Sequence, residues 1–430
     1  MKHPALKAMR TMLLVPARQP RLITPFLTAI VMAAILTFAV AGAQAQTFTT
    51  IYNFSGGADG SSPWDGLALD QAGHLFGMTT YGGTGENGWG VVFEMQRTNG
   101  NWKESVIHNF DNSDGCCPFF NTPVFDGKGN LYGATSSNGP GYGAAFRLTP
   151  HSDGKWTEKI LHIFGGGSDG ISPSSGVVFD SQGNLYGVTS AGGGKGCAEF
   201  AGCGTVYELS PVADGSWKER VLHRFTGGND GGGPNAVAID KEGRVYGTGN
   251  TGGTGNGAGV AFQFVHSAQG WKFKVIHNFG SSGAYPLGPL ALDALGNIYG
   301  TESVGGTFGA GEVFELIRPR TITGVWKEKT LYSFTGGSDG GNPTSGVSFD
   351  KSGNLYGTTS GGDVGGGGSV FKLKHSQGAW TFVLLHDFTG GNDGDSPYAG
   401  VVFDSTGTLY GTTTNVQSGA YWGTVYEITF

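Results

Sequence analysis

Seven phenylalanines close seven short apolar-aromatic runs: TIYNF, VIHNF, ILHIF, VLHRF, VIHNF, LYSF and LLHDF. They are Phe54, Phe110, Phe164, Phe225, Phe279, Phe334 and Phe388, spaced by 56, 54, 61, 54, 55 and 54 residues. A period of this length exceeds the common helical repeats and falls near that of propeller blades. Each unit reads as four strands. In the third, GVVFD ends at Asp180, SQGNLYGVTS follows, a glycine-rich loop leads to GTVYELSP, and WKERVLHRF completes the module. Asp180 is placed to accept bonds from its own turn, and Gly183 to take a positive φ. The first strand (Val177, Val178, Phe179) is apolar throughout, so it is expected to pack on both sides near a central axis, while the others alternate.

The units account for residues 55–110, 111–164, 165–225, 226–279, 280–334, 335–388 and 389–430, after an N-terminal strand at 47–54. The last unit supplies VVFD, TLYGTTT and GTVYEITF and then lacks its fourth strand, which TFTTIYNF at the other end can provide. The expected fold is therefore all-β: a seven-bladed propeller of four-stranded antiparallel blades, closed by one N-terminal strand and leaving no open edge. Composition agrees. There are 81 glycines without a Gly-X-Y period, alongside 28 Phe, 15 Tyr and 9 Trp, an aromatic load that disordered glycine-rich segments lack.

Residues 1–45 differ from the rest. A basic stretch (Lys2, Lys7, Arg10, Arg18, Arg21) precedes the apolar run from Leu22 to Val40, and Ala43 and Ala45 suit a signal-peptidase site. This reads as a secretory signal cut after Ala45, with a membrane anchor as the alternative. Cleavage leaves 21 basic against 33 acidic residues, a formal charge of −12. That balance argues against nucleic acid or an anionic membrane surface as partner. A secreted or periplasmic monomer is expected.

The module F-x-G-G-x-D-G-x-x-P, the hairpin D-x-x-G-N-L-Y-G and the strand G-x-V-[FY]-E-L resemble the GloVer tandem repeat, for Gloeobacter and Verrucomicrobia. FTGGSDGGNP (334–343) with DKSGNLYGTTSGG (350–362) carries the resemblance best, and it extends over residues 47–430. The resemblance implies an exported repeat protein and no established activity. Family members often carry a C-terminal surface anchor. Here Phe430 ends a strand without an apolar tail, so free secretion or periplasmic residence is expected instead.

Most polar candidates recur with the repeat, which points to structural duty. His108, His162, His223, His277 and His386 share one position, held by Tyr52 and Tyr332 in the other units. Asp70, Asp126, Asp180, Asp240, Asp293, Asp350 and Asp404 end the first strands. Asp59, Asp114, Asp169, Asp230, Asp339 and Asp393 occupy the GGxDG connectors, and the fifth unit has SSGAYP without the acid. These segments lack the spaced acids of a calcium loop, so no cofactor is expected and calcium remains the one cation left open. Loops such as YGGTGENGWG (81–90) lack GKS or GKT and join strands, which removes a phosphate-loop reading. Cys197 and Cys203 lie in an expanded loop and suit a disulfide; Cys116 and Cys117 are adjacent, with a vicinal bond, free thiols or cross-loop pairing all open. Zinc ligation by the four is excluded by their spacing.

Loops joining fourth to first strands and second to third strands must leave the same face. There, units seven, one and two place Tyr398, Tyr421 and Trp422, Trp64 and Trp89, and Phe119, Phe120 and Tyr142. In a closed ring these eight aromatics are expected to be neighbours, forming a glycan or peptide face or else plugging the blade ends. No catalytic residue is assigned. A binding or scaffold protein is the first expectation, with an envelope structural protein as a third reading. Second is a hydrolase or lyase of polysaccharides or lactones, which needs off-pattern groups such as Glu86, Lys195, Glu199 and Glu302 to converge.

Overall fold

Alternating strands and glycine turns fold as the spacing dictates. The computed structural model describes residues 46–430 except 86, 138–140, 195, 198–201, 255–256, 281–282, 322–323, 363–364 and 416–421. Residues 1–45, where a secretory signal is expected, lie outside the described residues. Seven four-stranded antiparallel sheets follow one another as blades. Six are consecutive along the chain; blade 1 runs Ala68–Leu69, Leu75–Thr79, Val91–Thr98 and Asn101–Asn109. The seventh combines Val402–Phe403, Leu409–Thr413 and Thr424–Thr429 with the N-terminal strand Thr47–Asn53. That strand pairs from Thr47 opposite Thr429 to Asn53 opposite Thr424, so the ring is closed as expected.

Seven hydrophobic clusters fill the joints, one between each pair of successive blades. Every joint contains one of the repeat phenylalanines, all at most 1% exposed. Each packs against an aromatic ring in the third strand of the following blade. The pairs run from Phe54 with Phe93 at 5.1 Å to Phe388 with Tyr426 at 5.3 Å. The period in the sequence is thus the period of the joints.

The strand expected to be most enclosed is not. Inner strands are half-buried, as at Ala68 and Leu69, whereas the second strands are fully buried at all five residues, as in Leu75–Thr79. The inner strand faces the channel on one side, and only the second and third strands have a blade against both faces. Five of the seven inner strands are only two residues long.

A polar latch supplements the apolar joints. The residue before the connector proline is left-handed in every blade: Ser62, Cys117, Ser172, Gly233, Tyr285, Asn342 and Ser396 have φ between +52° and +60°. This conformation aims the residue's N–H at the preceding blade, as in Ser62 to the Trp422 carbonyl (2.7 Å) and Cys117 to the Trp89 carbonyl (3.0 Å). The proline then lies on a third-strand glycine. At the closing joint, a Cβ on Gly423 would stand 2.5 Å from Pro63.

Candidate functional site

The two connectors of each blade do emerge together, bridged for example by Ser61 with Tyr81 and Cys116 with Ser137. Loop glycines allow this crossing: a Cβ on Gly82 would meet the Gly60 backbone at 2.6 Å.

The histidine and tyrosine series turns out to be the partner of the connector aspartates. Asp114, Asp169, Asp230 and Asp393 accept from or pair with His108, His162, His223 and His386 at 3.0–3.1 Å. Tyr52 and Tyr332 donate to Asp59 and Asp339 at 2.9 and 2.8 Å. An imidazole or a phenol serves equally here, since either offers one hydrogen to a carboxylate. The same aspartates also hold the start of their own connector, as where Thr335 N donates to Asp339 at 2.9 Å. Where the fifth unit's connector lacks its acid, His277 of blade 4 instead meets Glu328 of blade 5 at 2.9 Å.

The second aspartate series staples hairpins. Asp180 accepts from the backbone of Gln182 and Asn184, from the Asn184 side chain and from the Tyr186 hydroxyl. Asp126, Asp293 and Asp350 repeat this full set, and these three pairs of oxygens are engaged within their own turns.

Four of the eight candidate aromatics come together at the channel mouth. Trp64 stacks on Tyr398 (4.2 Å between ring centroids, 22° between planes) and meets Phe119 and Phe120 at 4.9 and 5.7 Å. All four rings are half-buried. Trp89 packs instead into the joint between blades 1 and 2. Tyr142 and Trp422, 51% and 53% exposed, lie on Gly166 and Gly56 of the following connectors. Tyr421 is outside the described residues. The Cys197–Cys203 disulfide takes that same glycine-covering position over Gly227. Cys116 and Cys117 are also bonded.

A small cavity of about 30 Å³ is lined by Trp64, Phe120 and Tyr398 of this cluster together with residues from the other blades, among them Ser175, Asn235 and Leu287. One acid beside it escaped notice in the sequence. Asp65 is buried, with one oxygen accepting from Asn121 N (2.5 Å) and the other unpartnered, and burial holds its carboxyl well above the usual range. Its place immediately after the channel-facing Trp64, where units three, five, six and seven carry Ser175, Gly288, Ser345 and Ala399, was the available signal.

Of the off-pattern groups, Glu86, Lys195 and Glu199 lie outside the described residues. Glu302 does find company, in blade 5 with Glu312 and Glu328, where one carboxylate oxygen from each lies within 4.8 Å of the others. Burial first, then the charges of Glu328 and Glu312, pushes Glu302 up to about 9. Glu312 and Glu328 were missed because their significance depends on register: Glu312 is the direct cross-strand partner of Glu302.

Comparisons with known proteins bear on fold and family. Crystal structures of candidate 6-phosphogluconolactonases from Bacteroides fragilis and Bacteroides uniformis are similar to this chain. The first is 11% identical, covering 84% of this chain and 98% of its own with a TM-score of 0.53; the second is 12% identical, covering 75% and 84% at 0.50. A fungal alcohol oxidase of the AA5 family in complex with copper is 11% identical and covers 90% of this chain and 76% of its own, with a TM-score of 0.53. At these identities the likeness shows the propeller fold alone. No curated protein matches the sequence. The family model of the Gloeobacter/Verrucomicrobia repeat matches residues 36–201 and 141–325, and with the repeating joints it places the chain in that family.

Proposed function

We propose that this is an exported, non-enzymatic binding or scaffold propeller that takes glycan or extended peptide on the face carrying both connectors. The observation behind the reading is the packed ring cluster of Trp64, Phe119, Phe120 and Tyr398, drawn from blades 7, 1 and 2. Half-buried rings fixed by their neighbours offer a rigid apolar surface at little entropic cost, and polar connector backbone surrounds them. Tyr142 and Trp422 add exposed rings on the same face. The two disulfides suit an oxidising compartment.

Hydrolysis of polysaccharide or lactone is the competing reading. It calls for a carboxylate or imidazole facing the channel; Asp65 lies beside the channel but is buried, and the residues lining the pocket there are apolar, hydroxyl, amide or aromatic. The test is glycan-array and peptide binding by the purified protein, by Trp64→Ala/Tyr398→Ala, and by Trp422→Ala. The expected outcome is at least a tenfold loss of affinity in the double variant, with the sheet signature in circular dichroism unchanged. Unchanged binding by a folded double variant would remove this site, and absence of any ligand would favour a structural envelope role.

A further inference from the structure

Blade 5 departs from the other six at one spot, and several changes there coincide. Its connector from Phe279 to Pro286 is two residues shorter than that from Phe225 to Pro234 and has no aspartate. Elsewhere the end of the second strand and the start of the third hold small residues, hydrogen-bonded hydroxyl to hydroxyl in three blades. These are Thr189 with Thr205 (2.9 Å), Thr359 with Ser369 (2.8 Å) and Thr413 with Thr424 (2.8 Å). In blade 5 the same cross-strand pair is Glu302 and Glu312.

Glu302 is 0% exposed, and among the described residues no N–H or hydroxyl is directed at either of its oxygens. Its oxygens face carboxylates instead. Glu312 is held by the hydroxyls of Thr330 and Ser333 at 3.3–3.4 Å, and Glu328 by His277. Three adjacent strands of one sheet thus bring three carboxylates together, one of them buried and without a donor. A buried carboxylate with no partner is costly, and a cation is the partner that three of them can share.

We propose that Glu302, Glu312 and Glu328 form a binding site for one divalent cation of the oxygen-preferring class, calcium or manganese. One oxygen from each residue lies within 4.8 Å of the others, which suits ligands on a single ion at about 2.3–2.6 Å for calcium. His277 sits behind Glu328 and orients it, as outer partners of metal ligands do. Glu328 is 27% exposed on its side chain, so the site opens to solvent on that side. Joining the outer strand of blade 5 to its buried pair, beside His277 of blade 4, the ion would replace the missing connector aspartate as the lock of this joint. The site is independent of the aromatic face.

The test uses the whole mature protein, stripped with chelator and dialysed, then titrated with calcium or manganese alone. At saturation by one of the two ions the unfolding temperature should rise by about 3–5 °C. Calorimetry should give one ion per chain, and Glu302→Gln should weaken binding at least tenfold. Should that buried variant fail to fold, the more exposed Glu328→Gln carries the same comparison. The proposal is overturned if neither ion binds or stabilises the wild-type protein, the result expected if the carboxylates only share a proton. Equal binding by wild type and a folded variant overturns it too.

Discussion

At the residue scale, the joints between blades concentrate the chemistry that decides stability. Asp339 is buried and accepts from the Tyr332 hydroxyl, from Thr335 N and from the Thr335 hydroxyl. Asp339→Ala orphans these donors, and denaturant unfolding should show a loss of about 3 kcal/mol. Glu104, Glu158 and Glu219 carry the opposite burden. Each is pushed up to about 7, chiefly by burial and then by nearby aspartates, partly offset at Glu158 by His108. In the folded chain they hold protons that an unfolded carboxyl, titrating near 4.5, has released. Stability from these groups therefore falls as pH rises from 4.5 to 7, and their cost is fully present above 7. Glu158→Gln should unfold at a higher temperature than wild type at pH 8, with the gap closing toward pH 4.5; a gap that widens in acid would refute this. The histidines and aspartates were legible as structural because they recur and interchange with tyrosine. Their mutual pairing was not, because it spans a connector whose path the spacing does not fix.

At the scale of the element, the strands were legible and their surroundings only in part. Valine and phenylalanine in GVVFD gave the inner strand its β character, but apolar content alone does not tell a channel wall from a strand between two blades. Full burial fell to LYGVT and its neighbours, where a glycine leaves room for the ring of the third strand: Gly187 faces Tyr207. The latch residue before each proline carried no shared signal, being Ser, Cys, Gly, Tyr or Asn, because the left-handed backbone there is imposed by the adjoining blade. Gly423 is the latch's most exacting position, with φ +103° and no space between Pro63 and the Thr413 carbonyl. Gly423→Ala should cost about 2–4 kcal/mol in chemical denaturation. Gly407→Ala, also left-handed (φ +94°) but with nothing within 4 Å, separates the cost of backbone strain from that of the clash.

For the whole molecule, the period and the missing seventh outer strand made both architecture and closure readable before any coordinates. The aromatic neighbourhood was half readable. Closure does bring blades 7, 1 and 2 together, but a ring after the connector proline points to the channel, whereas one before the third-strand glycine lies flat on the next blade. Sequence position along a loop does not distinguish these directions. Removing residues 46–53 tests closure itself. The truncated chain should lose at least about 10 °C in unfolding temperature and self-associate through the bared edge of Thr424–Thr429, and a peptide spanning 46–54 should reverse both. A truncated chain as stable and as monodisperse as wild type would refute the role given to this strand.

Sealing one sheet with strands from opposite ends of the described chain also sets an order of events in folding. Thr47–Asn53 precedes every other strand of the described chain, yet its mate, Thr424–Thr429, follows them all. Six sheets draw only on neighbouring strands, so each can form by itself while the seventh cannot. Until these distant strands meet, both flanks stay bare to other copies of the chain, and the joint that seals the ring is the one with the longest loop to close.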